Sequence, residues 1–217
     1  MKGGEGVRLG VIVPCRNEER VIARRLANLG QSHMPEGVSM PQLVVVDDGS
    51  RDETRALASA ACEAMPAWEA AVITNSYPEG KSGAVRSGLD HLGENVDVVV
   101  LTDADVITNA EALCAIAAAF HEEPDLGMAT GVQRIHESLS VEGRELDGEE
   151  AMGLYDSWTR SVRRYESQRG RLFSVHGQLL AWRVDLGLAP GTLAADDLEL
   201  MLDLRRTHPK KTVRMIE

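Results

Sequence analysis

Val96–Asp105 reads VDVVVLTDAD, and its run of β-branched and long apolar residues closing on two carboxylates is the strongest strand signal in the chain, Val96–Thr102. Working outward, the same kind of unit recurs. Leu9–Pro14 (LGVIVP) is apolar enough to be buried on both faces of a sheet, and Leu43–Val46 and Ala71–Thr74 follow it. Leu126–Val132, Leu172–Val175, Leu179–Trp182 and Thr212–Ile216 complete the set of predicted strands.

Helical patterns fall between them. Asn17 is predicted to cap a helix with Glu18 and Glu19 in its first turn, with Ile22, Leu26 and Leu29 on its buried face and Gly30 at its end. Ser50 and Glu53 read as a capping box for a helix to about Met65. Val85, Leu89 and Leu92 mark a third helix, and Leu113, Ile116, Ala117 and Phe120 a fourth. Arg134–Gly148 reads as a polar, Glu-rich loop before a long amphipathic helix carrying Met152, Tyr155, Trp158, Val162 and Tyr165; a last helix begins near Asp197. Alternation of this kind predicts an α/β class with a largely parallel sheet between helices. There is no internal repeat.

Composition narrows the function. The 217 residues fit one domain, residues 1–217, and 23 basic against 34 acidic residues leave a net charge of −11. Such a chain lacks the basic face that nucleic acid requires, so no nucleic-acid partner is expected. It is equally unsuited to docking on anionic lipid. An anionic substrate would need a bound cation or a few local donors. The 3 cysteines form no CxxC pair and the 6 histidines no HxxxH or HExxH pair. The expected setting is reduced and cytoplasmic, with neither a signal peptide nor a membrane-length apolar run. Membrane association is expected only through segments outside this chain, at the cytosolic face.

Four acidic or glycine-rich groups carry the chemistry, all at strand ends or helix starts, where ligands of open α/β sheets gather. In Thr102-Asp103-Ala104-Asp105, residues two apart on an extended chain point to one side. Asp103 and Asp105 can therefore share a hard cation with diphosphate oxygens, Mg²⁺ or Mn²⁺. The same residues would also serve as a plain polar strand end with a helix cap. Asp47-Asp48-Gly49-Ser50 offers carboxylates to a nucleobase imide or ribose, although taken alone it reads as turn-and-cap chemistry. Glu79-Gly80-Lys81-Ser82-Gly83 sets a lysine on a Gly-flanked loop opening a helix, as a phosphate site would. A P-loop needs Gly where Asn75 stands and has no room for Pro78, so that alternative is set aside. Asp196-Asp197 opens the last helix; such pairs are most often cap and dipole partners, and the functional alternative makes one of them a general base at a helix end that favours an anion.

Taken together and in order, Val13–Glu19 (VPCRNEE), Val45–Thr54 (VVDDGSRDET), Gly80–Leu89 (GKSGAVRSGL), Thr102–Asp105 (TDAD) and Asp196–Leu200 (DDLEL) resemble the family 2 glycosyltransferases, inverting enzymes of the GT-A fold that include synthases of cellulose, hyaluronan and poly-N-acetylglucosamine. The resemblance spans residues 9 to 217. It implies a nucleotide-binding half, about 9–105, and an acceptor and catalytic half, about 106–217. Pro14, Arg16, Asn17, Glu18, Asp47, Asp48, Gly80, Lys81, Asp103 and Ala104 would bind a nucleotide-sugar, a UDP-sugar in the family's usual manner, and Asp103 and Asp105 would hold Mn²⁺ or Mg²⁺. Asp197 would be the base, with Asp196 beside it. Gly177, Gln178 and Trp182, within Val175–Arg183 (VHGQLLAWR), would face a carbohydrate or lipid-linked acceptor.

Two features depart from the family. Arg16 stands where many members have an aromatic that stacks on the base. No QxxRW motif or membrane helix follows Glu217, which argues against processive synthesis or for a chain truncated at its C-terminus. Two other functions compete. A nucleotidyltransferase would want a Gly- and Arg-rich loop after the first strand, which PCRNEE does not supply. A non-catalytic nucleotide-sugar binder would have no use for Asp196-Asp197.

Overall fold

The computed structural model describes residues 6–34, 40–132, 162–172, 175, 177–191 and 196–216. Seven strands, β1 (Leu9–Cys15), β2 (Gln42–Asp47), β3 (Glu69–Thr74), β4 (Val98–Thr102), β5 (Leu126–Gly131), β6 (Leu179–Arg183) and β7 (Thr212–Ile216), form one sheet in the order β3-β2-β1-β4-β6-β5-β7. All neighbours run parallel except β6, which is antiparallel to both β4 and β5. The helices are α1 (Ile22–Gly30), α2 (Thr54–Glu63), α3 (Lys81–Leu92), α4 (Ala112–Glu122), α5 (162–168) and α6 (Asp196–Thr207). This is the expected α/β class, a largely parallel sheet between helices.

Strand periodicity splits the core into two layers. Val11 and Val13 face the layer formed with Ile22, Leu26 and Leu29 of α1 and Leu113, Ile116 and Phe120 of α4. Ile12, Val44 and Val46 face the other, with Val85 and Leu92 of α3 and Leu200, Met201 and Leu204 of α6. Because β1 lies between β2 on one side and β4 on the other, the strand order reverses there, opening a crevice at the strands' carboxyl ends. The antiparallel β6 starts at that same edge, with Leu179 opposite Thr102.

Several local expectations are corrected. Asn17 does not cap α1, which begins at Ile22; the Glu18 carbonyl accepts the N–H groups of Val21 and Ile22 at 3.0 and 2.9 Å instead. Ser50 and Glu53 form no capping box, because the Ser50 hydroxyl is taken by the Asn17 N–H and α2 begins at Thr54. On α6 the buried positions are Leu200, Met201 and Leu204, while Leu198 and Leu202 are exposed. Leu172 and Val175 lie in no strand, beside an isolated Arg171–Val213 bridge, and the residues between them lie outside the described residues. Tyr165 is exposed, with the Arg169 guanidinium stacked over its ring. Arg134–Gly148, Met152, Tyr155 and Trp158 lie outside the described residues.

The close fit of α3 on β1 makes the sign of one substitution depend on place. A Cβ at Gly88 would sit 2.8 Å from Cγ2 of Ile12, a fully buried side chain stiff at χ1. A Cβ at Gly30, at the end of α1, would meet only Met65 at 3.6 Å. Gly88→Ala should therefore lower stability by up to about 2 kcal/mol, overpacking outweighing helix propensity. Gly30→Ala should raise it by roughly 0.4–1 kcal/mol. Urea midpoints at unchanged m-value check both signs.

Candidate active site

The crevice is built on two loops that hold each other. After β1, the Asn17 N–H donates to Ser50 Oγ at 3.0 Å, and its carboxamide oxygen accepts the Arg51 N–H at 2.9 Å. The Glu18 N–H donates to Thr54 Oγ1 at 2.7 Å, and the Asp48 N–H to the Cys15 carbonyl at 2.9 Å. Asn17 adopts a left-handed backbone, φ 55°, to make this reciprocal pairing. These bonds join the two loops, a task the sequence pattern does not distinguish from capping. Pro14 lies half-buried beneath them, opposite Val46.

Asp47 and Asp48 are both buried. Asp47 accepts the Ser50 N–H at 3.1 Å and lies 3.7 Å from the Arg55 guanidinium. Asp48 is a hub: one oxygen accepts from the Asn75 amide at 2.6 Å, the other from the Gly80 N–H at 2.8 Å. It thereby braces the loop that delivers Lys81. Gly80, at φ 130°, holds a backbone conformation that other residues resist. Arg16 reaches over this hub, 3.6 Å from Asp48 and 2.9 Å from Glu79. Cys15, by contrast, is inert, its thiol pushed up to about 12 by burial and then by Asp47.

At the end of β4 the strand stops at Thr102, so Asp103–Asp105 form a turn rather than extended chain. Ala104 is buried between the two acids; Asp103 is half-buried and Asp105 exposed. Lys81, the first residue of α3, forms an ion pair with Asp103. Glu18 lies close enough to this turn that burial, then Asp105, Asp52 and Asp103, raise its carboxyl above its ordinary value. Among the described residues no three metal-binding side chains cluster. Two hard carboxylates beside a lysine nonetheless fit a divalent cation whose other ligands are diphosphate oxygens and water, since Mg²⁺ in particular keeps several such ligands.

The second half of the chain closes the crevice at Gly177. A Cβ there would lie 3.5 Å from Lys81 Nζ and 3.6 Å from Asp197 Cβ, so lysine and aspartate flank one small gap. Asp197 accepts the Gly177 N–H at 3.1 Å and the Leu198 N–H at 2.8 Å. Gln178 is exposed beside it, its carbonyl accepting from Thr102 Oγ1 at 2.8 Å, and Asp196 is the first residue of α6. Trp182 is a correction to the expected acceptor side: it is fully buried opposite Val99, and lines an apolar cavity with Leu92 and Leu188.

One group escaped the sequence reading. Arg25 is completely buried under the Asp103–Asp105 turn, donating to Thr102, Thr108 and Asn28. The helical spacing that marks Ile22 and Leu29 puts position 25 on the same face, which was the available signal.

The family model described as Glycosyl transferase family 2 matches residues 10–176. Human dolichyl-phosphate beta-glucosyltransferase is 30% identical over 105 residues, 46% of this chain and 32% of that protein. The chain thus spans about a third of the length of this curated relative. A mannosyltransferase from Pyrobaculum calidifontis, solved with GDP-Man and Mn²⁺, superposes with a TM-score of 0.73 at 20% identity, covering 98% of this chain and 55% of that one. Glucosyl-3-phosphoglycerate synthase from Mycobacterium tuberculosis, solved with UDP, gives 0.66 at 17% identity, covering 97% and 69%. These two likenesses are of fold. With the model's match extending over most of its length, this chain belongs to glycosyltransferase family 2.

Proposed function

We propose that this domain moves a sugar from a nucleoside-diphosphate sugar to the hydroxyl of a carbohydrate or lipid-linked acceptor, with inversion and with Mn²⁺ or Mg²⁺. The observation that carries the reading is the gap at Gly177, where Lys81, paired to Asp103, faces Asp197 across the space of one methyl group. A leaving diphosphate needs positive charge on one side, and an attacking hydroxyl needs a proton acceptor on the other. A divalent cation between Asp103, Asp105 and the diphosphate would add Lewis-acid charge to the leaving group.

The protein's own groups carry the rest. Lys81 offsets charge gathering on the diphosphate as the bond from the anomeric carbon to its oxygen breaks. Asp197, oriented by the Gly177 and Leu198 N–H groups, takes the proton of the acceptor hydroxyl as the new carbon–oxygen bond forms on the opposite face. Asp48 and Asp47 present carboxylate oxygens beneath the nucleoside side of the crevice. A uridine donor is the first reading; a guanosine donor is the second, supported by the mannosyltransferase neighbour solved with GDP-Man.

Donor binding is testable without an acceptor. UDP or a UDP-sugar should raise the melting temperature much more with Mn²⁺ or Mg²⁺ than with EDTA, and Asp105→Ala should abolish the difference. Equal stabilisation in EDTA would refute the metal assignment. In calorimetry, CDP should bind about 1–3 kcal/mol more weakly than UDP, because cytosine lacks the ring N–H that a buried carboxylate would accept. A preference for GDP would select the second reading.

Asp197→Asn should leave donor affinity and melting temperature nearly unchanged while lowering transfer by about 10²–10⁴. Asp196→Asn should cost less. Transfer retained in Asp197→Asn but lost in Asp196→Asn would move the base by one residue, and retention in both would remove this site from the reaction.

A further inference from the structure

We propose that Arg25 is a positioning residue: with Asn28 it clamps both ends of the Thr102–Thr108 segment and thereby sets where the Asp103 and Asp105 carboxylates stand for the cation and diphosphate. The inference rests on the function proposed above.

The clamp is visible in its bonds. Arg25 NH2 donates to Thr102 Oγ1 at 2.7 Å, at the end of β4. NH1 donates to Thr108 Oγ1 at 3.2 Å and to Asn28 Oδ1 at 2.6 Å. Asn28, one helical turn on, holds the far end through its backbone as well: its carboxamide oxygen accepts the Thr108 N–H at 3.0 Å, and its nitrogen donates to the Thr108 carbonyl at 2.9 Å. Between the two threonines the chain is neither helix nor strand. Thr102 Oγ1 passes the constraint on, donating to the Gln178 carbonyl at 2.8 Å beside the Gly177 gap. A single rigid fork thus ties α1, the acidic turn and the start of β6.

This side chain is hard to explain by stability alone. It is fully buried, its Nε has no partner, and among the described residues no carboxylate lies within ion-pair distance of it. Burial lowers its affinity for its proton, to a pKa of about 10, with Asp103 and Asp105 pulling the other way. A hydrophobic side chain of similar length between Ile22, Leu26 and Leu29 would spare the desolvation of a charge and orphan none of its acceptors, since Thr102 Oγ1 still donates to the Gln178 carbonyl and Thr108 Oγ1 still donates to Asn28 Oδ1. A planar fork can reach two anchor points at fixed spacing, which neither an ammonium nor a thioether can do.

The test compares wild type, Arg25→Met, Arg25→Lys and Thr108→Val, the last preserving shape while removing the far anchor's hydroxyl. Electron paramagnetic resonance of free Mn²⁺ in the presence of UDP gives the metal affinity, calorimetry in EDTA gives nucleotide affinity, and thermal denaturation gives stability. Expected are about 10–100-fold weaker Mn²⁺ binding for both Arg25 variants, the range seen when partners of metal ligands are removed, and a smaller loss for Thr108→Val. UDP affinity in EDTA should hold, and the melting temperature of Arg25→Met should hold or rise. Variants that bind Mn²⁺ as well as or better than wild type overturn the clamp. Arg25→Lys matching wild type overturns it too, because charge rather than geometry would then suffice. If Arg25→Met fails to fold, Thr108→Val and Arg25→Lys decide. Wild type lacking UDP-dependent Mn²⁺ binding would instead strike the function proposed above.

Discussion

The antiparallel pairing of Thr102 with Leu179 is the constraint from which the site follows. It inserts β6 between β4 and β5 against the parallel run of their neighbours, so the start of β6 meets the end of β4 at one edge. Gly177 and Gln178 precede Leu179 directly and are carried to that edge with it. Asp197 then needs only the Gly177 N–H to be anchored beside Lys81. Were β6 parallel, the same residues would leave the sheet at its other end. The meeting of Lys81 with Asp197 at Gly177 is therefore a property of strand direction.

A second constraint is charge. The chain carries −11 overall, yet it crowds Glu18, Asp47, Asp48, Asp52, Asp103 and Asp105 along one edge. The crowding is felt, since Glu18 is raised by burial and by three of these neighbours. Offsetting groups are few and specific: Lys81 on Asp103, Arg16 and two N–H donors on Asp48, Arg55 near Asp47, and buried Arg25 below the turn. An edge so arranged is suited to accept a cation together with an anionic ligand.

Stability and placement make opposite demands at several points. Arg183, likewise buried, donates to the carbonyls of Phe120 and Glu123 at the end of α4 and of Leu126 at the start of β5, at 2.6, 3.0 and 2.8 Å, tying helix to strand through main-chain acceptors. Arg25 does comparable work on side-chain hydroxyls next to the acidic turn, with one nitrogen left over. Helix α6 buries Leu200, Met201 and Leu204 to hold Asp197 steady, yet leaves Leu198 and Leu202 exposed.

The sequence alone determined the α/β class, the positions of the strands and most helices, and the gathering of acidic motifs at strand ends. These depend on local periodicity: Val11, Val13 and Ile12 declare opposite faces within three residues, and Thr212–Ile216 reads as a strand without any knowledge of its partner. Helix starts were misread where a polar side chain had a distant alternative. Asn17 and Ser50 carry the features of caps, but each found a partner in the other's loop, and no local pattern reveals which bond wins. Trp182 was placed at the acceptor side by the resemblance alone, and a motif match does not say that both faces of β6 are covered. Only the tertiary structure decided the direction of β6, the meeting of Lys81 with Asp197 at Gly177, and the burial of Arg25. Each is a contact between segments far apart in the chain, where the energy depends on three-dimensional packing rather than on the residues next door.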